Sequence, residues 1–273
     1  MTADTSLPIF QTKNVNKTFF VKSQNIAVLS DINMAVHKSE FLVIFGPSGC
    51  GKSTLLHTLL GLEKPTGGEV HFLGKSLYQN LDEDGRSDLR KGHIGMVYQQ
   101  PNWIKALTVK ENIMVPLRLS GMSQLMAEGK AEEVLKLVGM TDWQDYIPTE
   151  LSSGQQQKVA LARAVVTNPD VLIADEPTGN LDFVSGQELM KLLSVLHQNG
   201  KTVIMVTHDL EYLVFAQRAL QMFDGHIVAE LNDPSAFVKE HSNSLKRGQI
   251  LPTSEKSTPQ PESVPIRTSI ENL

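Results

Sequence analysis

Gly46-Pro47-Ser48-Gly49-Cys50-Gly51-Lys52-Ser53-Thr54 fits the phosphate-binding pattern G-x-x-x-x-G-K-[ST] at every fixed position. Just ahead of it, Phe41-Leu42-Val43-Ile44-Phe45 is an unbroken apolar run of strand length, as expected for a strand covered on both faces. Just behind it, Leu55, Leu56, Leu59 and Leu60 recur at helical spacing. Strand, glycine-rich turn and helix form the context in which this motif works. The glycines let the backbone turn its N–H groups inward as an anion nest, and the following helix aims its positive end at the same point. In that arrangement Lys52 reaches the outer phosphates and the Ser53 hydroxyl holds Mg²⁺.

A phosphate loop needs an acidic partner, and one lies far along the chain. Val171-Leu172-Ile173-Ala174 is a buried-strand run that ends in Asp175-Glu176-Pro177. At the end of such a strand Asp175 is placed for the Mg²⁺ sphere and Glu176 for an attacking water. A further parallel-strand run, Thr202-Val203-Ile204-Met205-Val206, ends in Thr207-His208-Asp209. A histidine there lies where open α/β sheets bind ligands. Between the last two strands, Asn180-Leu181-Asp182 reads as a loop. Gln187 to Leu196 reads as a helix, with Leu189, Leu192, Leu193 and Leu196 on one face.

The remaining stretches fill in the domain. Ile9–Val15 and Ile26–Val36 read as strands, separated by the polar Lys22-Ser23-Gln24-Asn25. Phe19 and Phe20 lie just before that break; on chemistry alone, base stacking and core packing compete for them, and packing is favoured. Glu69–Leu73 and Ile94–Tyr98 are strand candidates, with a charged connection over Asp82–Asp88 between them. From about 100 to 165 the pattern turns helical, an inserted α-helical subdomain. Within it Leu151-Ser152-Ser153-Gly154-Gln155 looks like a helix start. Leu220–Phe223 and Ile227–Leu231 read as a closing hairpin, and Phe237 belongs to a short last helix. Residues 1–8 are expected to be a disordered lead and 242–273, rich in Ser, Thr, Pro and charge, a disordered tail.

The chain has 273 residues, 41% of them hydrophobic, so a large core needs no disulfides. A net charge of −5 argues against a nucleic-acid surface. The single cysteine, Cys50, fits a reducing compartment. It occupies a variable position of the loop, where a small residue that simply fits is favoured over a redox switch. The first residues lack an apolar leader, and no window approaches a membrane span. The expectation is a cytoplasmic protein whose membrane contact comes through a partner.

Taken together, the motifs over about residues 9–241 resemble those of the ATP-binding-cassette (ABC) ATPases, the nucleotide-binding subunits of ABC transporters. The resemblance implies an α/β fold: a P-loop NTPase (RecA-like) core, an N-terminal antiparallel β subdomain and the helical insertion. It also implies ATP hydrolysis, with ATP and Mg²⁺ as cofactors. By the same resemblance, Phe19 matches the base-stacking aromatic, commonly tyrosine in that family, which reverses the preference for core packing. Gln99 matches the glutamine that senses Mg²⁺ and the membrane partner. Leu151-Ser152-Ser153-Gly154-Gln155 matches the signature L-S-G-G-Q, with Ser153 in place of its first glycine. Asp175 and Glu176 match the Mg²⁺-linked aspartate and the catalytic glutamate. Asp182 matches the dimer-contact loop and His208 the switch histidine at the terminal phosphate. The signature serine and glycine of a second cassette would then close the site, so the expected unit is a homodimer around two ATP. Ser153 is expected to leave the site working, with lower turnover.

The run Asp175–Asp182, and Leu107-Thr108-Val109-Lys110-Glu111-Asn112-Ile113 with Pro116-Leu117 and Gly121, looks like the branch of lipoprotein-release, macrolide-export and cell-division ABC ATPases. That branch implies a permease subunit with few spans and a large extracytoplasmic domain. Contact with it is expected near Gln99 and the helical insertion, where Trp103 is either an anchor or an ordinary packing residue. Two alternatives use the same chemistry. The ATPase of a solute importer often carries a C-terminal regulatory domain, for which the polar tail is too short. A soluble ABC protein acting on DNA or ribosomes typically shows tandem cassettes, coiled coils or zinc-binding cysteines, which are not seen here.

Overall fold

The computed structural model describes residues 7–22 and 24–245. Residues 1–6 of the expected lead and 246–273 of the expected tail lie outside the described residues. In chain order the strands are β1 (Phe10–Val21), β2 (Gln24–Val36), β3 (Phe41–Phe45), β4 (Gly67–Phe72), β5 (Lys75–Ser76), β6 (Ile94–Tyr98), β7 (Val171–Asp175), β8 (Thr202–Thr207), β9 (Arg218–Phe223) and β10 (His226–Leu231). The helices are α1 (Lys52–Leu59), α2 (Glu83–His93), α3 (Val109–Leu119), α4 (Gln124–Leu137), α5 (Ser153–Val165), α6 (Phe183–Gln198) and α7 (Pro234–Leu245).

Two sheets form. One has the order β2-β1-β4-β5 and is antiparallel throughout. The other has the order β10-β9-β3-β8-β7-β6, parallel from β9 to β6, with β10 antiparallel at its edge. The apolar runs read from the sequence are the inner strands of this second sheet. All five residues of β3 are buried. Successive side chains of a strand point to opposite faces. Leu42 and Ile44 therefore join one core, with α1 and the antiparallel sheet. Phe41, Val43 and Phe45 join a second core, with α5 and α6. Helix α1 is thus packed between the two sheets, with Leu55, Leu56 and Leu59 fully buried. A third core, of Val109, Ile113, Leu117, Ala131, Leu135 and Val159 among others, holds α3, α4 and α5 together as the helical insertion.

Several expectations are corrected. Asp82–Asp88 is not an irregular connection. Asp82 caps α2 by accepting from the Gly85 N–H at 2.9 Å. Glu83 then pairs with Arg86 at 2.7 Å and Arg90 at 2.6 Å. Leu89 packs against the core beside α1, and the otherwise polar helix is supported by such pairs. Strand β1 runs on to Val21, so Phe19 and Phe20 lie within it, ahead of a turn through Lys22 at φ 54. Helix α6 starts at Phe183, capped by Asp182, rather than at Gln187. Helix α7 continues to Leu245, so residues 242–245 are helical rather than part of the tail.

Candidate active site

The loop between β3 and α1 is shaped by contacts that leave no room for side chains at its ends. A Cβ on Gly46 would collide with the Met222 carbonyl of β9. Gly51 caps α1 at φ 104, and a Cβ there would come within 2.7 Å of the Val28 carbonyl. The residues between them, with Pro47, Ser48, Gly49 and Cys50, wrap the head of α1. Ser48, Gly49, Gly51, Lys52, Ser53 and Thr54 line a groove of about 280 Å³, together with Val28 and Glu176. Cys50 is buried, and burial pushes its thiol up. Little thiolate is then present to react, in keeping with a residue that only fills space.

Lys52 Nζ donates to the carbonyls of Gly46 at 2.8 Å and Pro47 at 3.0 Å, and lies 3.8 Å from Glu176 Oε1. The other carboxylate oxygen of Glu176 lies 2.7 Å from His208 Nδ1, and the His208 N–H also points at it, at 3.3 Å. The head of α1 and the ends of β7 and β8 therefore bring together Lys52, Glu176 and His208. Glu176 takes a left-handed backbone, φ 47, with its N–H donating to the Val206 carbonyl at 2.9 Å. Such a conformation in a non-glycine residue costs about 1–2 kcal/mol and points to a functional constraint.

Asp175 sits at the last position of β7. Burial, and next the Glu176 carboxylate, push its pKa up, while His57, Lys52 and a hydrogen bond from Ser53 pull the other way. Its Oδ1 is buried and has no hydrogen-bond partner among the described residues. An orphaned carboxylate oxygen beside a serine hydroxyl, at the head of a phosphate loop, fits a divalent cation of the oxygen-seeking kind. Gln99 is not among the residues lining the phosphate-loop groove; its side chain rests on the turn after Glu176, where a Cβ on Gly179 would come within 2.8 Å of its Nε2.

Phe19 is half-buried, and Lys17 Nζ lies over its ring at 4.7 Å from the centroid. It pairs across β1 and β2 with Ile26, two residues from the Val28 that touches the phosphate loop. The signature stretch lies elsewhere. None of Ser152, Ser153, Gly154 or Gln155 lines the phosphate-loop groove. Ser152 caps α5: its hydroxyl accepts from the Gln155 N–H at 3.3 Å, and Gln155 Oε1 accepts from the Ser152 N–H at 3.0 Å. Ser153 is the first residue of that helix and takes no positive φ, so its side chain meets no backbone demand for glycine. Gly154 is constrained by packing instead: a Cβ there would come within 2.6 Å of the Ser185 Oγ and 2.8 Å of its Cβ on α6. Asp182 accepts from the Ser185 N–H at 3.0 Å and its hydroxyl at 2.8 Å, which hold its carboxyl below the usual range. Trp103 packs inside the chain: its indole N–H donates to Gln156 Oε1 at 2.9 Å.

Comparison with known proteins decides the family. The family model described as ABC transporter matches residues 29–179. The chain belongs to the ABC transporter family. The fold is that of an ABC ATPase cassette, and ATP hydrolysis is the activity characteristic of such cassettes. Among its relatives is the uncharacterized ABC transporter ATP-binding protein MJ1508 of Methanocaldococcus jannaschii. It is 40% identical over 224 residues, 82% of this chain and 100% of that protein. The macrolide export ATP-binding/permease protein MacB of Salmonella typhi is 40% identical over 232 residues, 85% of this chain and 35% of its own length. MacB 2 of Yersinia pestis is 39% identical over 222 residues, 81% of this chain and 33% of its length. The chain thus spans about a third of the macrolide-export proteins it matches. Among solved structures, the dimeric post-hydrolysis state of the cassette MJ0796 bound to ADP and Pi matches with a TM-score of 0.76 and 39% identity, covering 81% of this chain and 97% of that one. The cassette cbiO1 of Clostridium perfringens, part of the ABC transporter complex cbiONQ, matches with a TM-score of 0.77 and 28% identity, over 89% of this chain and 97% of that one.

Proposed function

We propose that this chain binds and hydrolyses ATP to drive a permease of the macrolide-export or lipoprotein-release type, and that two copies pair head to tail around two ATP. The observation that carries the reading is the division of the site. Lys52, Glu176 and His208 converge on one groove, while Ser152–Gln155 lies outside its lining. A γ-phosphate held on one side only would be left for the signature of a second copy to cover. The matched cassette MJ0796 is itself dimeric, and the MacB relatives join such a cassette to a permease in one protein. Placement on the cytoplasmic face of the membrane, through a permease subunit, follows from that reading. Among the described residues no helix is long and apolar enough to cross a membrane.

In this site the loop N–H groups and Lys52 hold the phosphates, and Phe19 stacks on the base. Ser53, Asp175 and Gln99 would hold Mg²⁺, which when bound supplies charge neutralisation on the transferring phosphoryl group. Glu176 accepts a proton from the attacking water at its carboxylate, and His208, 2.7 Å away, orients that carboxylate. Asp182 fixes the start of α6, where the second copy docks.

Glu176→Gln tests this. The amide keeps the shape and loses the base, so turnover falls by about 100-fold or more while ATP still binds. Gel filtration with ATP and Mg²⁺ is then expected to show a stable dimer. A variant that elutes as a monomer under those conditions contradicts the proposal.

A further inference from the structure

The stretch from Gln99 to Thr108, between β6 and α3, forms no helix or strand. Its backbone carbonyls must find partners elsewhere. Helix α5 supplies them for Gln99, Pro101 and Asn102. Gln157 Nε2 donates to the carbonyls of Tyr98 and Gln99, 3.1 Å each. Arg163 donates to the carbonyl of Pro101 and, at 3.4 Å, to that of Asn102. The Arg163 guanidinium also lies over the Trp103 ring, 4.6 Å from its centroid, and Gln156 takes the indole N–H. Three side chains of one helix thus hold five of the six residues from Tyr98 to Trp103.

Gln157 stands out within this clamp. It is 3% exposed, and its Oε1 is buried without a partner among the described residues. An orphaned acceptor of that kind carries a desolvation cost that an apolar side chain of the same shape would avoid. What the amide adds is its two donated bonds. They fix the backbone of Gln99, whose side chain rests on Gly179, and the Gly179 N–H in turn donates to the Glu176 carbonyl at 3.1 Å. Gln157 is also one helical turn from Ser153, so the two share a face of α5 and line the same groove as Gln99.

We propose that Gln157 is a positioning residue: it ties the Gln99 loop to the helix that begins with the signature, so that capture of the signature by a second copy's nucleotide is felt at this copy's own Mg²⁺ end. The inference rests on the reading of Ser152–Gln155 given above and adds a mechanical link between the two sites.

Gln157→Met keeps the length and removes the donors. Losing an outer support of a metal ligand is expected to lower kcat about tenfold with KM for ATP within about twofold. Because Gln157 acts through Gln99, the double variant Gln99→Ala/Gln157→Met is expected to be no slower than Gln99→Ala alone. A readout free of turnover is the emission of Trp103 in a Trp143→Phe background. It is expected to shift when a non-hydrolysable ATP analogue and Mg²⁺ are added, and to stay still with Gln157→Met. Arg163→Lys, which keeps the charge but not the fork, is the second variant, with the same expected fall and the same non-additivity. Unchanged kcat and emission would overturn the inference. So would additive losses in the double variant, or a fall in kcat matched by equal losses in ATP affinity and melting midpoint. Failure of the unmodified chain to bind the analogue would overturn the reading of the site, and this inference with it, before any substitution is made.

Discussion

Asp175 is held in a place that suits a cation better than it suits the protein alone. Its carboxyl is buried, faces Glu176, and keeps one oxygen unpartnered among the described residues. A folded-state pKa above the unfolded one means that the native chain holds the proton more tightly. Below the ordinary carboxylate pKa both states are protonated and Asp175 costs nothing. As pH rises through the raised folded pKa, native stability falls, and the loss is complete above it. Asp175→Asn has no such proton to lose. Melting midpoints of the two proteins, measured without nucleotide, are expected to coincide in acid and to separate towards neutral pH with the variant higher. ATP turnover of the variant is expected to drop roughly 100-fold, as when a preorganised charge is taken from a transition state. Melting curves that stay parallel across the whole pH range would refute the assignment of strain to this carboxyl.

Helix α5 approaches β6 most closely at Gly95. A Cβ on Gly95 would strike the Ala164 carbonyl, which belongs to the helix backbone and cannot swing aside. Gly95→Ala is therefore expected to destabilise the fold by about 1–3 kcal/mol, read by denaturant unfolding, although alanine is the better residue for a strand interior. A stabilised variant would show that the helix yields. How much of this was legible beforehand depends on the range of the interaction. The strands β3, β7 and β8 announce themselves because a strand covered on both faces must be apolar at every position, and Phe41–Phe45 and Val171–Ala174 are. The phosphate loop, the acidic pair and His208 were legible for the same local reason: each sits where one of those strands ends. Helix α2 was not, because Leu89 is its one apolar side chain packed against the core, and the rest is polar with charge pairs three and seven residues apart. Asn112 stood out only as part of a branch-like run, without a structural role. It is fully buried and bonds to the backbone of Ile104, Leu107 and Thr108, fixing the turn into α3. Gln157 and Arg163 were missed because their partners lie some sixty residues away. The one clue was a polar residue on the buried side of an otherwise apolar helix face.

The whole molecule is an arrangement of two sheets and a helical block in which α1 is gripped from both sides. The phosphate loop is in that way rigidly mounted, while the signature rides on the helical block. On the reading that the two belong to different active sites, catalysis requires pairing. ATP turnover per chain is expected to fall on dilution, tending to a second-order dependence on protein once copies are mostly apart. A specific rate that holds constant down to the most dilute sample would argue for a site complete within one chain. The left-handed turn at Glu176 has a bearing on how such proteins decay. A glycine or asparagine would occupy that backbone with less effort than a glutamate. Random drift that discards the carboxylate therefore runs downhill in folding energy, and idle, sturdier cassettes are the ones that mutation alone would favour.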